Sequence, residues 1–201
     1  MRAQTLFSLV IFVFALFVGQ ANAAEQDKPY TLLKEVGEQL FIDIAKIDAT
    51  EAQKKALLRE VVKQQLIPHI DIKFVSFKLL GKHIRDVNKE QALSFIDAVE
   101  SYLTTTYATA LMSYNGQEVR FIAPNAQSTN GYASVKTEIV EPGKPTIDIV
   151  FKLRQDKSGQ WRVYDLVAEG ISLLDAKQKE IITRISEVGI DKVNEELLAK
   201  G

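Results

Sequence analysis

The chain has 201 residues, of which 46% are hydrophobic and 25% are charged, as is typical of a globular protein with one substantial core. Its formal net charge of -1 argues against a nucleic-acid-binding protein, because such proteins usually carry a basic excess. The lack of cysteine excludes disulfides, thiolate nucleophiles and cysteine-based metal sites.

The N-terminal 23 residues have the three parts of a secretory signal peptide. Arg2 supplies the positive charge, residues 6–18 form an apolar block, and the small-residue cleavage site Ala-Asn-Ala follows. The apolar block is too short to span a hydrocarbon layer of roughly 30 Å comfortably. We therefore predict a signal peptide at 1–23 and a single exported domain at 24–201. An uncleaved membrane anchor is the alternative.

Residues 27–115 are predicted to form helices. At 27–29, an aspartate that is a candidate N-cap and an early proline precede apolar residues at helical spacing. Residues 50–53 and 88–91 each have a capping-box pattern, which predicts the starts of a second helix and of a long third helix. Between these two helices, the sequence predicts a short helical piece that ends at Gly81.

Short runs rich in alternating apolar residues, separated by turn signals, predict an antiparallel meander of four strands. The predicted strands are residues 117–123, 131–140, 146–153 and 161–168. A weak capping pattern at 175–178 predicts a further helix that ends at Gly189, and a final short helix follows. Helices segregated from a four-stranded antiparallel sheet predict an α+β fold.

The last predicted strand carries apolar side chains on both parities, which an ordinary half-buried strand does not. Val163 and Val167 lie on one parity, and Tyr164, Leu166 and Ala168 lie on the other. A twisted sheet with helices packed on one side forms a cone, whose interior is either packed core or an apolar pocket. The residues alone leave both alternatives open.

Asp165 interrupts the apolar run of this strand. One interpretation is an acid in a pocket that works with Tyr107, Tyr114 or Tyr164, as in small cone-shaped isomerases. The alternative, which we favour, is an aspartate that caps neighbouring backbone or pairs with a cation. No established catalytic motif accompanies it, so no catalytic residue is predicted.

The two histidines are weak candidates for metal ligands. His69 and Asp71 have a spacing that suits two ligands on one strand face, but no third ligand is evident nearby. We favour surface or helix-end positions for His69 and His83, and predict no metal site.

Three stretches of the chain have a specific order and spacing of motifs. Residues 74–114 have a leucine-glycine turn and then a helix with spaced Tyr-x-x-x-Leu, residues 159–174 have the pattern W-x-x-Y-D…E-G-[VI]-S, and residues 189–197 form a predicted C-terminal helix. Together these stretches resemble the MlaC family of periplasmic phospholipid carriers, also known as toluene-tolerance proteins. One departure is the run DAKQKEI after Leu174, where many members have an Asn-Tyr-Arg-like run.

The resemblance implies an NTF2-like cone that encloses a deep apolar cavity for the acyl chains of a phospholipid. It also implies a periplasmic carrier, expected to be a monomer, that shuttles lipid between an outer-membrane lipoprotein complex and the lipid-binding subunit of an inner-membrane ABC transporter. This pathway maintains the lipid asymmetry of the outer membrane. The resemblance implies no cofactor and no covalent chemistry.

Charge should be absent from a wall that contacts acyl chains, so we expect the parity of Tyr164 and Leu166, not that of Asp165, to face the lipid. Ile171 is expected at the mouth of the cavity. The predicted lipid-binding residues are Phe74, Leu79, Leu80, Leu103, Tyr107, Val135, Ile139, Ile149, Phe151, Tyr164, Leu166 and Ile171. Two other functions stay open on the residues alone: an exported enzyme with an Asp165–tyrosine pair, and a protein-interaction module with a fully packed core.

Overall fold

The computed structural model describes residues 18–123 and 128–201, with side chains from residue 28 onward. Most of the predicted signal peptide, residues 1–17, lies outside the described residues, so this prediction is not tested. The helices are α1 (Val18–Ala45), α2 (Glu51–Gln65), α3 (Ile72–Leu80), α4 (Lys89–Leu111), α5 (Leu173–Val188) and α6 (Ile190–Lys200). Among the described residues, no helix is both long and apolar enough to cross a bilayer.

Local sequence signals account for three of the helix boundaries. At the start of α2, the Thr50 backbone N–H donates to Gln53 Oε1 at 3.3 Å. At the start of α4, the Gln91 N–H donates to Asn88 Oδ1 at 2.9 Å, and the Asn88 N–H donates back to Gln91 Oε1 at 3.1 Å. Gly81 ends α3 with a φ of 51°, a left-handed conformation that glycine adopts easily. The predicted starts of α2 and α4 and the predicted end of α3 are confirmed.

Two predicted helix starts are wrong. Helix α1 begins at Val18, so Asp27 is not its N-cap, and Pro29 lies inside the helix. Helix α5 begins at Leu173, because Ser172 is the cap: its Oγ accepts a hydrogen bond from the Asp175 N–H at 3.0 Å.

The sheet has five antiparallel strands in the order β1-β2-β3-β4-β5, which confirms the antiparallel α+β fold and corrects the predicted strand count of four. The strands are β1 (Glu118–Phe121), β2 (Tyr132–Val140), β3 (Ile147–Gln155), β4 (Trp161–Ala168) and β5 (Ile171–Ser172). The fifth strand has only two residues and leads directly into α5, so it is too short to show a strand pattern in the sequence. The two edges of the sheet are therefore short strands of four and two residues.

The strand register separates an apolar face from a charged face. Ile149, Phe151 and Leu153 alternate along β3 and share one face. On the other face, the Lys136 ammonium pairs with Glu138 and with Asp148, each at 3.1 Å. Helix α1 contacts β2 and β4, while α3 and α5 contact β4.

The buried residues form three clusters rather than one continuous core. One cluster joins α3, α4, α5 and α6 around Leu80 and Phe95, which are fully buried. A second joins α1, α2 and α4 around Leu58 and Val62. A third joins α1 to the sheet around Leu153. Because the clusters remain separate, cavities can lie where they approach each other.

Candidate functional site

A β-bulge in β4 determines which of its side chains face the helices. Leu166 lies opposite Phe151, whereas Val163 lies opposite Leu153, and the register shifts between these pairs. Tyr164 is the extra residue, so Val163 and Leu166 face the same side although their sequence parity differs. The bulge therefore explains why this strand is apolar on both parities.

Ile70 lies where the three buried clusters meet. Its backbone is extended and bridges Val163 of β4, and the Asp71 N–H donates to the Val163 carbonyl at 2.8 Å. Its side chain packs against all three clusters. Ile70 thereby fixes the connection between α2 and α3 onto the sheet.

A first cavity of about 410 Å³, called cavity 1 below, lies between β4 and helices α3, α4 and α5. Its wall is mainly apolar, with charged side chains contributed by Asp165, Lys177 and Glu180. It is lined by Ile70, Val75, Leu79, Tyr102, Leu103, Thr106, Tyr107, Val163, Tyr164, Asp165, Leu166, Leu173, Leu174, Ala176, Lys177 and Glu180.

A second cavity of about 250 Å³, called cavity 2 below, lies between the apolar face of the sheet and helices α1 and α4. Among the residues that the structure describes, His69 and Tyr107 are the ionisable side chains in its wall. It is lined by Leu33, Val36, Gly37, Leu40, Phe41, Leu66, His69, Ile70, Tyr107, Ala110, Leu111, Val119, Phe121, Thr137, Ile139, Ile149, Phe151, Val163 and Leu166.

The two cavities adjoin each other. Ile70, Tyr107, Val163 and Leu166 line both of them. The Tyr107 hydroxyl is neutral at physiological pH, as in any tyrosine, and burial, the negative charge of Asp165 and the neighbouring Tyr102 raise its pKa further, from 10.0 to about 12. The shared wall is therefore uncharged.

Most of the predicted lipid-binding residues lie in these walls. Those that line a cavity are Leu79, Leu103, Tyr107, Ile139, Ile149, Phe151, Tyr164 and Leu166. They come from α3, α4 and strands β2 to β4, and the fold brings them together around the shared wall. Their contact with a ligand stays a prediction.

The other four predicted residues do not line either cavity. Leu80 is fully buried in the helical cluster, and Val135, which is 2% exposed, lies in the cluster beneath the sheet. Phe74 packs edge-on against Tyr164, with ring centroids 5.5 Å apart, so it supports a wall residue from behind. Ile171 is 63% exposed in β5, next to Leu173 of cavity 1.

Several wall residues were not predicted as part of the site. Leu33, Val36 and Leu40 of α1 show helical spacing in the sequence, but this spacing does not distinguish a cavity wall from packed core. Ile70 and Val163 reach the shared wall through a long-range backbone contact and a bulge, which leave no local sequence signal.

Asp165 acts as a helix-capping residue, as favoured from the sequence. Its Oδ2 accepts a hydrogen bond from Ser172 Oγ at 2.8 Å, and its Oδ1 accepts one from the Leu174 N–H at 3.0 Å. The carboxylate thus ties β4 to the start of α5. Both oxygens are engaged in this structural role, and the arrangement does not support the enzyme interpretation.

The candidate metal ligands also have structural roles. Asp71 Oδ1 accepts a hydrogen bond from the Phe74 N–H at 3.1 Å, and Oδ2 pairs with the Arg154 guanidinium. Burial and the charge of Arg162 lower the pKa of His69. His83 is partly buried, with its side chain 14% exposed, and its Nε2 is 3.1 Å from Ser186 Oγ.

The lysine at the edge of cavity 1 is held by two neighbours. Lys177 Nζ is 2.6 Å from Glu180 Oε2 and 4.8 Å from the centroid of the Tyr102 ring. Burial alone would lower the pKa of Lys177, but hydrogen bonds to Glu180 and Tyr102 outweigh this effect and raise it. The cavity edge therefore carries an ammonium group at neutral pH.

Comparisons with known proteins agree with this architecture. The chain is 28% identical over 187 residues to the intermembrane phospholipid transport system binding protein MlaC of Haemophilus influenzae, covering 92% of this chain and 87% of that protein. A phospholipid-binding protein from Ralstonia solanacearum, solved in complex with a phospholipid, has the same fold with a TM-score of 0.71 at 20% identity. That comparison covers 83% of this chain and 97% of the other.

The family model described as MlaC protein matches residues 34–199, which span the described sheet, helices α2 to α5, nearly all of α6 and the C-terminal part of α1. This match confirms the resemblance seen in the sequence. The chain belongs to the MlaC protein family.

Proposed function

We propose that this protein is a periplasmic phospholipid carrier that holds acyl chains in cavities 1 and 2. The observation that supports this function best is the pair of adjoining apolar cavities between the sheet and the helices, with volumes of about 410 and 250 Å³. Ligand-binding pockets commonly have volumes of roughly 300–1,000 Å³ and mostly apolar walls. The names of the Haemophilus and Ralstonia proteins, which refer to phospholipid transport and binding, point to the same ligand.

The energetics of lipid transfer explain why such cavities are useful. Exposing an acyl chain to water costs about 0.8 kcal/mol per methylene, so a chain of about fifteen methylenes costs roughly 12 kcal/mol. Branched and aromatic side chains offer many weak, non-directional contacts. Such a wall accepts different chains and still allows their release.

The finer features of the proposal follow from family membership. We propose on this basis that the fold is a half-cone and that the protein passes lipid between an outer-membrane lipoprotein complex and an inner-membrane ABC transporter. We also propose that this transfer maintains outer-membrane lipid asymmetry. Export through a cleaved signal peptide at residues 1–23 is part of the same proposal. We further propose that the carrier acts as a monomer, without a cofactor and without covalent chemistry.

The experiment that tests this function uses the shared wall. The full chain, expressed with its own N-terminal segment, is purified from the periplasmic fraction of a bacterial host and extracted for lipid mass spectrometry. We expect phospholipid at close to one molecule per chain. Leu166→Glu places a charge in the wall of both cavities and should reduce bound lipid at least ten-fold, because burying an unpaired carboxylate and contacting an acyl chain are incompatible.

The matched control is Leu93→Glu, because Leu93 is 53% exposed and lines neither cavity. This variant should retain lipid, and circular dichroism should show that both variants are folded. Lipid retained equally by both variants would contradict the proposed site, and wild-type protein without any lipid would contradict the function.

A further inference from the structure

The charged residues of the cavity walls are concentrated at one place. Cavity 1 is lined by Asp165, Lys177 and Glu180, and among the described residues Lys177 is the only lysine or arginine in either wall. An acyl chain makes no favourable contact with a charged side chain, whereas the phosphate of a lipid headgroup can pair with a cation. The position of Lys177 therefore suggests where the headgroup lies.

The side chain of the cation is less exposed to solvent than that of its partner. The Lys177 side chain is 25% exposed, whereas that of Glu180 is 54% exposed, and both line cavity 1. The two charged atoms are 2.6 Å apart, and the carboxylate side chain is the more solvent-exposed member of the pair. Asp165 adds a second negative charge, although its oxygens are occupied by Ser172 Oγ and the Leu174 N–H.

This difference in exposure matches the headgroup of a zwitterionic phospholipid. Its phosphate is attached to the glycerol, next to the acyl chains, and its ammonium group is at the outer end. We propose that Lys177 and Glu180 form a headgroup site, in which Lys177 binds the phosphate and Glu180 binds the ammonium group of a zwitterionic phospholipid. This inference rests on the proposed carrier function and adds a headgroup preference to it.

The same geometry disfavours an anionic headgroup. A headgroup such as glycerol has no ammonium group to balance the phosphate charge, which then lies near Glu180 and Asp165. The three charged residues of the wall sum to one negative charge, so an anionic lipid is repelled where a zwitterionic lipid is neutral overall. We expect a modest preference, because the site is open to solvent.

An ordinary surface ion pair offers a matched control. Lys192 and Glu195 on α6 have the same three-residue spacing and a distance of 2.8 Å, but their side chains are 55% and 68% exposed. Neither residue lines a cavity. Changes at this pair should therefore leave headgroup preference unchanged.

The test is a competition between two lipids with identical tails. The full chain, purified from the periplasmic fraction and delipidated, is loaded from a detergent solution of equimolar dioleoyl phosphatidylethanolamine and dioleoyl phosphatidylglycerol. Bound lipids are then quantified by mass spectrometry. We expect the wild type to favour phosphatidylethanolamine about two- to five-fold, the range that one exposed ion pair supplies.

Glu180→Gln should bring this ratio to about one, whereas Glu195→Gln should keep the wild-type ratio. Lys177→Gln should lower the retained amount of both lipids, because both contain the phosphate, and Lys192→Gln should not.

Three outcomes would overturn the inference. A wild-type ratio near one at full lipid occupancy removes the headgroup preference but leaves the carrier function intact. An unchanged ratio in Glu180→Gln removes Glu180 from the site. Binding of neither lipid by the wild type overturns the carrier function itself, and the headgroup site with it.

Discussion

Tyr107 lies in the shared wall, and the pKa of its hydroxyl reports on the surroundings of that wall. Its pKa is raised to about 12 in the folded protein, first by burial and then by the charge of Asp165, from an ordinary value of 10.0. The unfolded chain therefore releases this proton before the folded protein does. Its contribution to stability is complete below pH 10 and is lost as the pH rises through 12.

We predict that the free energy of unfolding of the wild type, relative to Tyr107→Phe, falls by about 1 kcal/mol between pH 9 and pH 11. The phenylalanine variant lacks the hydroxyl, so it lacks this component of the pH dependence. Urea denaturation at several pH values measures the difference. Parallel curves for the two proteins would show that Tyr107 is not held neutral by its surroundings.

At the level of a structural element, the β-bulge in β4 can be tested by deleting its extra residue. Deleting Tyr164 leaves Val163 opposite Leu153 and Leu166 opposite Phe151, so a regular antiparallel ladder is restored. The variant loses the ring contacts of Tyr164 with Phe74, at 5.5 Å, and with Tyr132, at 6.0 Å.

We predict that the Tyr164 deletion folds with an intact sheet and is destabilised by about 1–3 kcal/mol, the value of two aromatic contacts. Deleting Lys136 from the regular part of β2 is the control, because it moves charged side chains onto the apolar face and should prevent folding. Circular dichroism and thermal unfolding compare the two. A Tyr164 deletion as damaging as the control would show that β4 depends on its bulge.

For the whole molecule, an occupied cavity should be more stable than an empty one. A ligand that binds only the folded state at a hundred times its dissociation constant stabilises that state by about 2.7 kcal/mol. We predict that dioleoyl phosphatidylethanolamine raises the melting temperature of the delipidated protein by about 5–10 °C. A lysophospholipid with one tail should raise it less, because it buries half the apolar chain. Equal shifts for both lipids would argue that only one tail enters the cavities.

The sequence allowed prediction of those features that depend on neighbouring residues. The starts of α2 and α4 depend on side chains three residues apart, and the four longer strands show their pattern within four to nine residues. The family resemblance implied an apolar cavity, but the residue pattern alone could not predict it, because empty space depends on how three clusters meet. Leu79 lines a cavity and Leu80 is packed core, yet the sequence presents them as two adjacent leucines.

The short strands at both edges of the sheet have a consequence for a carrier that must stay dispersed. Unpaired backbone groups at a sheet edge can recruit a second chain and start aggregation. Here β1 offers four residues, two of which form the Glu118–Arg120 ion pair, and β5 offers two before the chain turns into a helix. Strand β5 covers only Val167 and Ala168 of β4, and Ile70 bridges Val163 further along the same edge. The short edge strands and this bridge limit strand addition, so we expect concentrated copies of the protein to stay separate.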